Sequence, residues 1–187
     1  MKYSLILLSI TILFFNEGLA QKKQKEKTIE MPIETIKWYT FQQAVELNKK
    51  QPKKLFIDVY TEWCGWCKKM DASTFTDPIV IKTMNKYYYA IKMDAEMTDT
   101  IVFQNTTFVN PEPAKKRSTH QLANALLNGQ LGYPTAVYLD EQYNMLSPVA
   151  GYQTPEAIEP ILIFFGENKH KTGKYEDFVK TFKPQPR

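Results

Sequence analysis

Apolar and polar positions alternate between two periodicities along this chain. Residues 54–60, KLFIDVY, form a nearly continuous apolar run that suits a central strand covered on both faces, broken only by Asp58. YYYAIKMD at 87–94 reads as a second such strand, and Thr135–Leu139 as a third. A turn at Asp140–Asn144 leads into a return strand, Met145–Ala150, which Pro148 marks as an edge because it cannot donate to a ladder. Helical spacing separates these runs. After an edge strand at Trp38, the residues Phe41, Ala44, Val45 and Leu47 share one face behind a Thr40 cap, and Gln51-Pro52 ends that helix. Trp66–Phe75 can be helical, and Asp77-Pro78 reads as N-cap and first helical residue of a helix reaching about Lys86. Ser118 is placed to cap a helix over 119–128 that Gly129 stops. Thr154 caps a last long helix, 155–165, with Ile158, Ile161, Leu162 and Phe165 on one face and Gly166 at its end.

The least regular stretch is 99–117, where a short helix around Thr98–Asn105 is expected before a loop that carries Lys115-Lys116-Arg117. Beyond Gly166 a polar tail holds a short helix at 175–182, able to dock through Tyr175, Phe178, Val179 and Phe182. The resulting order, β-α-β-α-(α)-β-α-β-β-α, predicts an α/β fold with a central mixed sheet flanked by helices on both faces. The first twenty residues stand apart. Lys2, an apolar core from Leu5 to Phe15 and the small-residue end Gly18-Leu19-Ala20 have the architecture of a signal peptide, and that core is too short for an ordinary spanning helix. The expected organisation is a signal peptide at 1–20, a polar linker at 21–37, one domain at 38–166 and a tail at 167–187. A periplasmic or secreted location follows from that reading.

Charge changes little. The net +4 resides in the flanks: five Lys against three Glu in 21–37, six basic against three acidic groups in 167–187, and 12 basic against 13 acidic groups in 38–166. A basic excess confined to flanks, without a recognition motif, argues against nucleic acid as a partner.

The chain has two cysteines, Cys64 and Cys67, in TEWCGWCKKM between a strand and a helix. Three readings are open: a redox centre, part of a metal site, or a structural staple. The loop they close is too small to staple a fold of this size. Thiols at a helix N-terminus meet unpaired N–H groups and the positive end of the helix dipole, which favour a thiolate. A second thiol one turn later can resolve a mixed disulfide made by the first.

LFIDVYTEWCGWCKKM resembles the active site of the thioredoxin superfamily, and Gly132-Tyr133-Pro134-Thr135 resembles that family's cis-proline loop. The segment KKMDASTFTDPIVIKTMNKYYYAIKMDA is similar to exported bacterial thioredoxin-like proteins and thiol-disulfide interchange domains. The resemblance covers about 38–166 and implies a thioredoxin-like fold. It makes Cys64 the exposed nucleophile, Cys67 the resolving thiol, and Asp58 the buried acid that takes the Cys67 proton. It makes Trp63, Tyr133 and Pro134 substrate-binding residues, with the backbone at Tyr133 pairing to an extended segment, and Trp66 is expected to join them. The chain departs from the family in two places. Gly65-Trp66 replaces the common Gly-Pro between the cysteines. Ala90 stands where a family Lys is expected near the buried acid; Lys92 is a weak substitute, and Lys68 is expected to matter more for local charge.

Other chemistry finds less support. His120 and His170 are the only histidines, expected at the surface and without ligand spacing, so no metal and no cofactor are expected. Lys68 stands where haem attachment needs His. The expected function is exported disulfide reduction on protein substrates, because residues 95–118 are too few for the helical insertion of the superfamily's oxidases. It would be supplied with electrons by a membrane-bound reducing partner, and the protein is expected to act as a monomer. The alternative is a thioredoxin-like binding module or copper(I) carrier built on the same thiols.

Overall fold

The computed structural model describes residues 34–186; the expected signal peptide and the start of the linker lie outside them. A five-stranded mixed sheet runs in the order β1-β3-β2-β6-β7, from Trp38–Tyr39 (β1), Lys54–Tyr60 (β2), Tyr88–Asp94 (β3), Thr135–Leu139 (β6) and Met145–Ala150 (β7). β1, β2 and β3 are parallel, β6 runs antiparallel to β2, and β7 pairs antiparallel with β6. A separate two-stranded hairpin joins β4 (Ile101–Phe103) and β5 (Thr106–Phe108). Helices α1 (Phe41–Lys50), α2 (Gly65–Ser73), α3 (Pro78–Tyr87), α4 (Gln121–Leu126), α5 (Pro155–Gly166) and α6 (Tyr175–Thr181) complete the fold. None of the described helices is long and apolar enough to cross a membrane.

Strand alternation divides the core in two. Leu55, Ile57 and Val59 of β2 join Ile91, Met93 and Val137 with Phe41, Leu122 and Leu126 of α1 and α4. Phe56, on the opposite face, packs with Tyr88, Tyr138, Met84, Ile158 and Leu162 beneath α3 and α5. Each such side chain contributes about 1.5–3 kcal/mol when fully removed from water. Thr40 caps α1 in a full capping box with Gln43, and the Asp77 carboxylate accepts from the N–H groups of Ile79 and Val80 to open α3. Gly166 lies where α5 meets α3: a Cβ there would come within 2.8 Å of the Tyr87 ring.

The flanks also make contacts. Ile36 is buried in the core, and Asn85 binds the backbone at Thr35 and Lys37. Tyr175 and Phe178 of α6 set their rings 5.3 and 5.4 Å from Phe164, while Val179 stays largely exposed.

Three expectations are corrected. The stretch around 98–105 is not a helix. Ile101 is buried, Val102 exposed, and Phe103 stacks edge-on to Phe41 and Tyr143, a strand alternation closed by Gln104 and Asn105 at positive φ, as two-residue hairpins require. The helix expected at 119–128 is shorter, and Ser118 does not cap it; its hydroxyl donates to Asn110 Oδ1 at 2.5 Å. His120 is the cap and is fully buried rather than at the surface. Its Nδ1 accepts from the Leu122 N–H at 3.1 Å while Nε2–H donates to the Asp99 carbonyl at 2.9 Å. His120→Ala therefore removes a cap and deprives the Asp99 carbonyl of its imidazole donor. It is expected to lower unfolding free energy by about 2 kcal/mol in urea titration, where a surface histidine would change it by less than about 0.5 kcal/mol.

Candidate active site

β2 ends at Tyr60, and the chain turns once before α2 begins; the Cys64 N–H closes that turn on the Thr61 carbonyl at 3.0 Å. Cys64 is the N-cap of α2, and its Sγ accepts from the Cys67 N–H at 3.1 Å, the position in which an oxygen cap satisfies an orphan donor. Cys64 and Cys67 are joined in a disulfide with 5.3 Å between their Cα atoms. Both are buried, at 5% and 2% exposure, so in this oxidised state the expected nucleophile is only slightly the more open of the two.

Two tryptophans flank the disulfide, and both are more than half exposed. Trp63 presents its ring edge-on to Tyr133 at 5.9 Å, donates from Nε1 to Glu96 Oε1 at 2.8 Å, and carries the Arg117 guanidinium 4.8 Å above its ring. Trp66 lies 5.4 Å from the Tyr152 ring, and the Lys69 ammonium sits over both. The Tyr133–Pro134 peptide bond is cis. The Pro134 carbonyl accepts from the Gly151 N–H at 2.8 Å, which ties this loop to the end of β7 just before Tyr152.

Asp58 lies in β2 with 1% of its side chain exposed. In the parallel register it faces Lys92 on β3, and in the antiparallel one Ala136 on β6. Lys92 Nζ donates to Asp58 Oδ2 at 2.6 Å and also bonds Asp71 Oδ1 on α2, while Asp58 Oδ1 is buried without a hydrogen-bond partner. Burial raises the Asp58 carboxyl above the ordinary carboxylate range despite the opposing pull of Lys92, and Asp71 adds to the rise. Burial with Asp94 and Glu62 nearby pushes the Tyr60 phenol up to about 12. A cavity of about 250 Å³ lies alongside, lined by Cys67, Lys92, Asp71, Lys68, Tyr60 and Thr61, with Glu62.

The ordering of the two lysines is thus reversed. Lys92, expected as a weak substitute, holds the buried acid; Lys68 only lines the cavity. The difference lies in the start of β3: paired from Tyr88 it puts Lys92 opposite Asp58, whereas the strand expected from Tyr87 would put Ile91 there. Glu96, Arg117 and Tyr152 carried no signal in the sequence, because each lies in a turn or loop outside the regular strands and helices.

The sequence model of the Thioredox_DsbH family, described as "Protein of unknown function, DUF255", matches residues 22–159. Among curated proteins the chain is similar to the "Thiol:disulfide interchange protein DsbD" of Haemophilus influenzae, 24% identical over 133 residues. That match covers 68% of this chain and 20% of the relative, so the chain spans about a fifth of that protein's length. Among solved structures it is similar to a thioredoxin from Thermus thermophilus, with a TM-score of 0.52 and 17% identity over 75% of this chain and 99% of that one. It is also similar to a thioredoxin-fold protein from Helicobacter pylori, with a TM-score of 0.51 and 15% identity over 69% of this chain and 79% of that one. These structural likenesses establish the thioredoxin-like fold.

The raised Asp58 carboxyl fixes a sign for stability. The folded state holds this proton more tightly than the unfolded chain. The stabilising contribution is therefore whole below the ordinary carboxylate pKa and is lost as pH rises through the higher folded value. Asp58→Asn is expected to be more stable than the parent at neutral pH, with the advantage shrinking on acidification. Urea midpoints measured across the acid-to-neutral range check it.

Proposed function

The chain belongs to the Thioredox_DsbH family of thioredoxin-superfamily thiol-disulfide proteins, and on that premise we propose that it is an exported disulfide reductase acting on protein substrates through Cys64 and Cys67. The observation that carries the proposal is the position of the pair: Cys64 caps α2 and its sulfur takes the Cys67 N–H, so a thiolate at Cys64 gains a donor and the positive end of the helix.

In the reduced protein the Cys64 thiolate attacks one sulfur of a substrate disulfide. The substrate S–S bond breaks, a mixed disulfide forms on Cys64, and one substrate thiolate leaves. Cys67 then gives its proton to Asp58, directly or through a water in the adjoining cavity, and attacks Cys64 Sγ. The Cys64–Cys67 disulfide forms as the second substrate thiolate departs, and two electrons have passed to the substrate. Asp58 suits the base role because its buried carboxyl takes up a proton more readily than a solvated one and because Oδ1 is unoccupied. Trp63 and Trp66 expose their rings on either side of the disulfide and would supply apolar contact to a substrate, and the backbone at Tyr133, before the cis Pro134, would offer strand-like pairing to an extended segment.

Recharging needs a dithiol donor, for which a membrane-bound reducing partner is the natural class outside the cytosol. Reduction is favoured over oxidation because the segment between β3 and α4 folds as a hairpin and loop, without a helical insertion.

Cys64→Ser is expected to lose protein-disulfide reduction by about a thousandfold or more. Cys67→Ser should still attack and should accumulate disulfide-linked partners, visible on non-reducing gels. Unchanged reduction by Cys64→Ser overturns the mechanism, and stoichiometric copper(I) retention with no trapped partner turns the reading to a metal carrier. A Cys64–Cys67 reduction potential near about −270 mV supports a reductase, and one near about −120 mV an oxidase.

A further inference from the structure

Lys92 does not serve Asp58 alone. Its side chain is a quarter exposed; the ammonium lies between Asp58 Oδ2 and Asp71 Oδ1, and the aromatic rings of Tyr60, Trp38 and Phe75 surround it at 5.0, 5.1 and 5.2 Å. Asp71 sits on α2 four residues after Cys67, about one helical turn, and its side chain is 43% exposed. Cys67, Lys92 and Asp71 line the same cavity. One cation therefore faces two carboxylates, a buried one from the sheet and a more exposed one from the helix that carries the cysteines.

We propose that Asp71 is a positioning residue for dithiol exchange: by competing with Asp58 for the Lys92 ammonium, it controls how readily Asp58 holds the proton received from Cys67. This rests on the exchange reading given above. When Asp58 is ionised, Lys92 is drawn to Oδ2. When Asp58 takes the proton, Asp71 retains the ammonium, so Lys92 is never left without a counter-charge and the protonated acid is favoured. Removing Asp71 leaves Asp58 as the sole carboxylate for Lys92 and favours its ionised form. Removing Lys92 leaves two carboxylates with no cation between them and favours the protonated form.

The remaining titratable and charged groups around the pair are few. α2 also supplies Cys67 and Lys68, the β2–α2 turn Glu62, and the ends of β2 and β3 Tyr60 and Asp94. β6 places Ala136 opposite Asp58, while β1 and the turn at Thr74–Thr76 contribute the rings of Trp38 and Phe75.

The test is the ¹³C carboxyl titration of Asp58 in the oxidised full-length protein, with Asp71→Asn, Lys92→Gln and the double variant. Asp71→Asn is expected to move the midpoint to lower pH and Lys92→Gln to higher pH. Asp71→Asn made in the Lys92→Gln background should lower the midpoint by clearly less than it does beside Lys92, because only the direct repulsion between the carboxylates is then removed, and Asp71→Glu should restore the parent value. An unmoved midpoint in Asp71→Asn, or an equal shift with and without Lys92, overturns the proposal, because the first denies an effect and the second is a direct field. The pH–rate profile of protein-disulfide reduction supplies the link to chemistry: its Asp58 limb should follow the midpoint downward in Asp71→Asn, and a limb that stays put overturns the role in exchange. The titration needs no substrate. An inactive parent protein with the expected midpoints defeats the reductase reading and the positioning role in exchange, while unmoved midpoints in an active protein defeat only the role of Asp71.

Discussion

A carboxylate in the middle of a sheet is the constraint around which this site is arranged. Taking an ion out of water costs several kcal/mol even after the surroundings relax, and Asp58 is 1% exposed between two neighbouring strands. The parallel register of β2 and β3 supplies the answering charge by setting Lys92 opposite Asp58. The ammonium is fixed in turn by the rings of Trp38 from β1, Tyr60 from β2 and Phe75 after α2. One buried acid thus engages the strand edge, the central strands and the cysteine helix together. The compensation is incomplete, since burial still outweighs Lys92 at the carboxyl. What remains is a carboxyl that holds a proton more readily than a solvated one, the property on which the base role proposed above would draw.

The same strand sets the geometry of the cysteines. β2 is buried along nearly its whole length, so its direction is fixed by packing on both faces. With one turn after Tyr60, the N-terminus of α2 follows that direction and Cys64 arrives as its cap. The Tyr133–Pro134 loop comes from a different part of the chain, at the start of β6, the other neighbour of β2. Pairing on either side of one strand therefore gathers the acid, its lysine and the cis-proline loop, while the strand's own end delivers the thiols.

What could be read from letters follows from this. Runs covered on both faces, caps at Thr40, Asp77 and Thr154, and the turn residues predicted the strands and long helices, because each rests on local chemistry that the fold does not override. Cys64 and Cys67 stood out by their spacing after a strand, and Asp58 and Pro134 by resemblance to a family; the fold places the pair at the start of α2, Asp58 in β2 and Pro134 after a cis bond. A polar residue at a helix start reads as surface, and only the fold reveals that His120 is buried, with its ring on the Asp99 carbonyl and its N–H on that of Ala95. The hairpin itself was missed because Asn105-Thr106-Thr107 interrupts a short run, although Ile101, Val102 and Phe103 already alternate. Lys92 was undervalued because it was measured against a family position rather than against the register of this sheet.

The unread part of the site is its rim, and the rim is unequal. On one side Trp63 is held by Tyr133, Glu96 and Arg117, partners drawn from the long segment between β3 and β6. On the other, Trp66 has Lys69 from its own helix and Tyr152 after β7. A ring with a hydrogen bond at its nitrogen, a cation above it and a ring at its edge has little freedom left; Trp66 has no hydrogen bond among the described contacts and is 57% exposed. Ordering an exposed side chain on binding carries an entropic cost that a pre-ordered one avoids. Trp63 is therefore the more fixed of the two rings that flank Cys64. Trp66 is the freer ring, and it stands at the position where the chain departs from the common Gly-Pro.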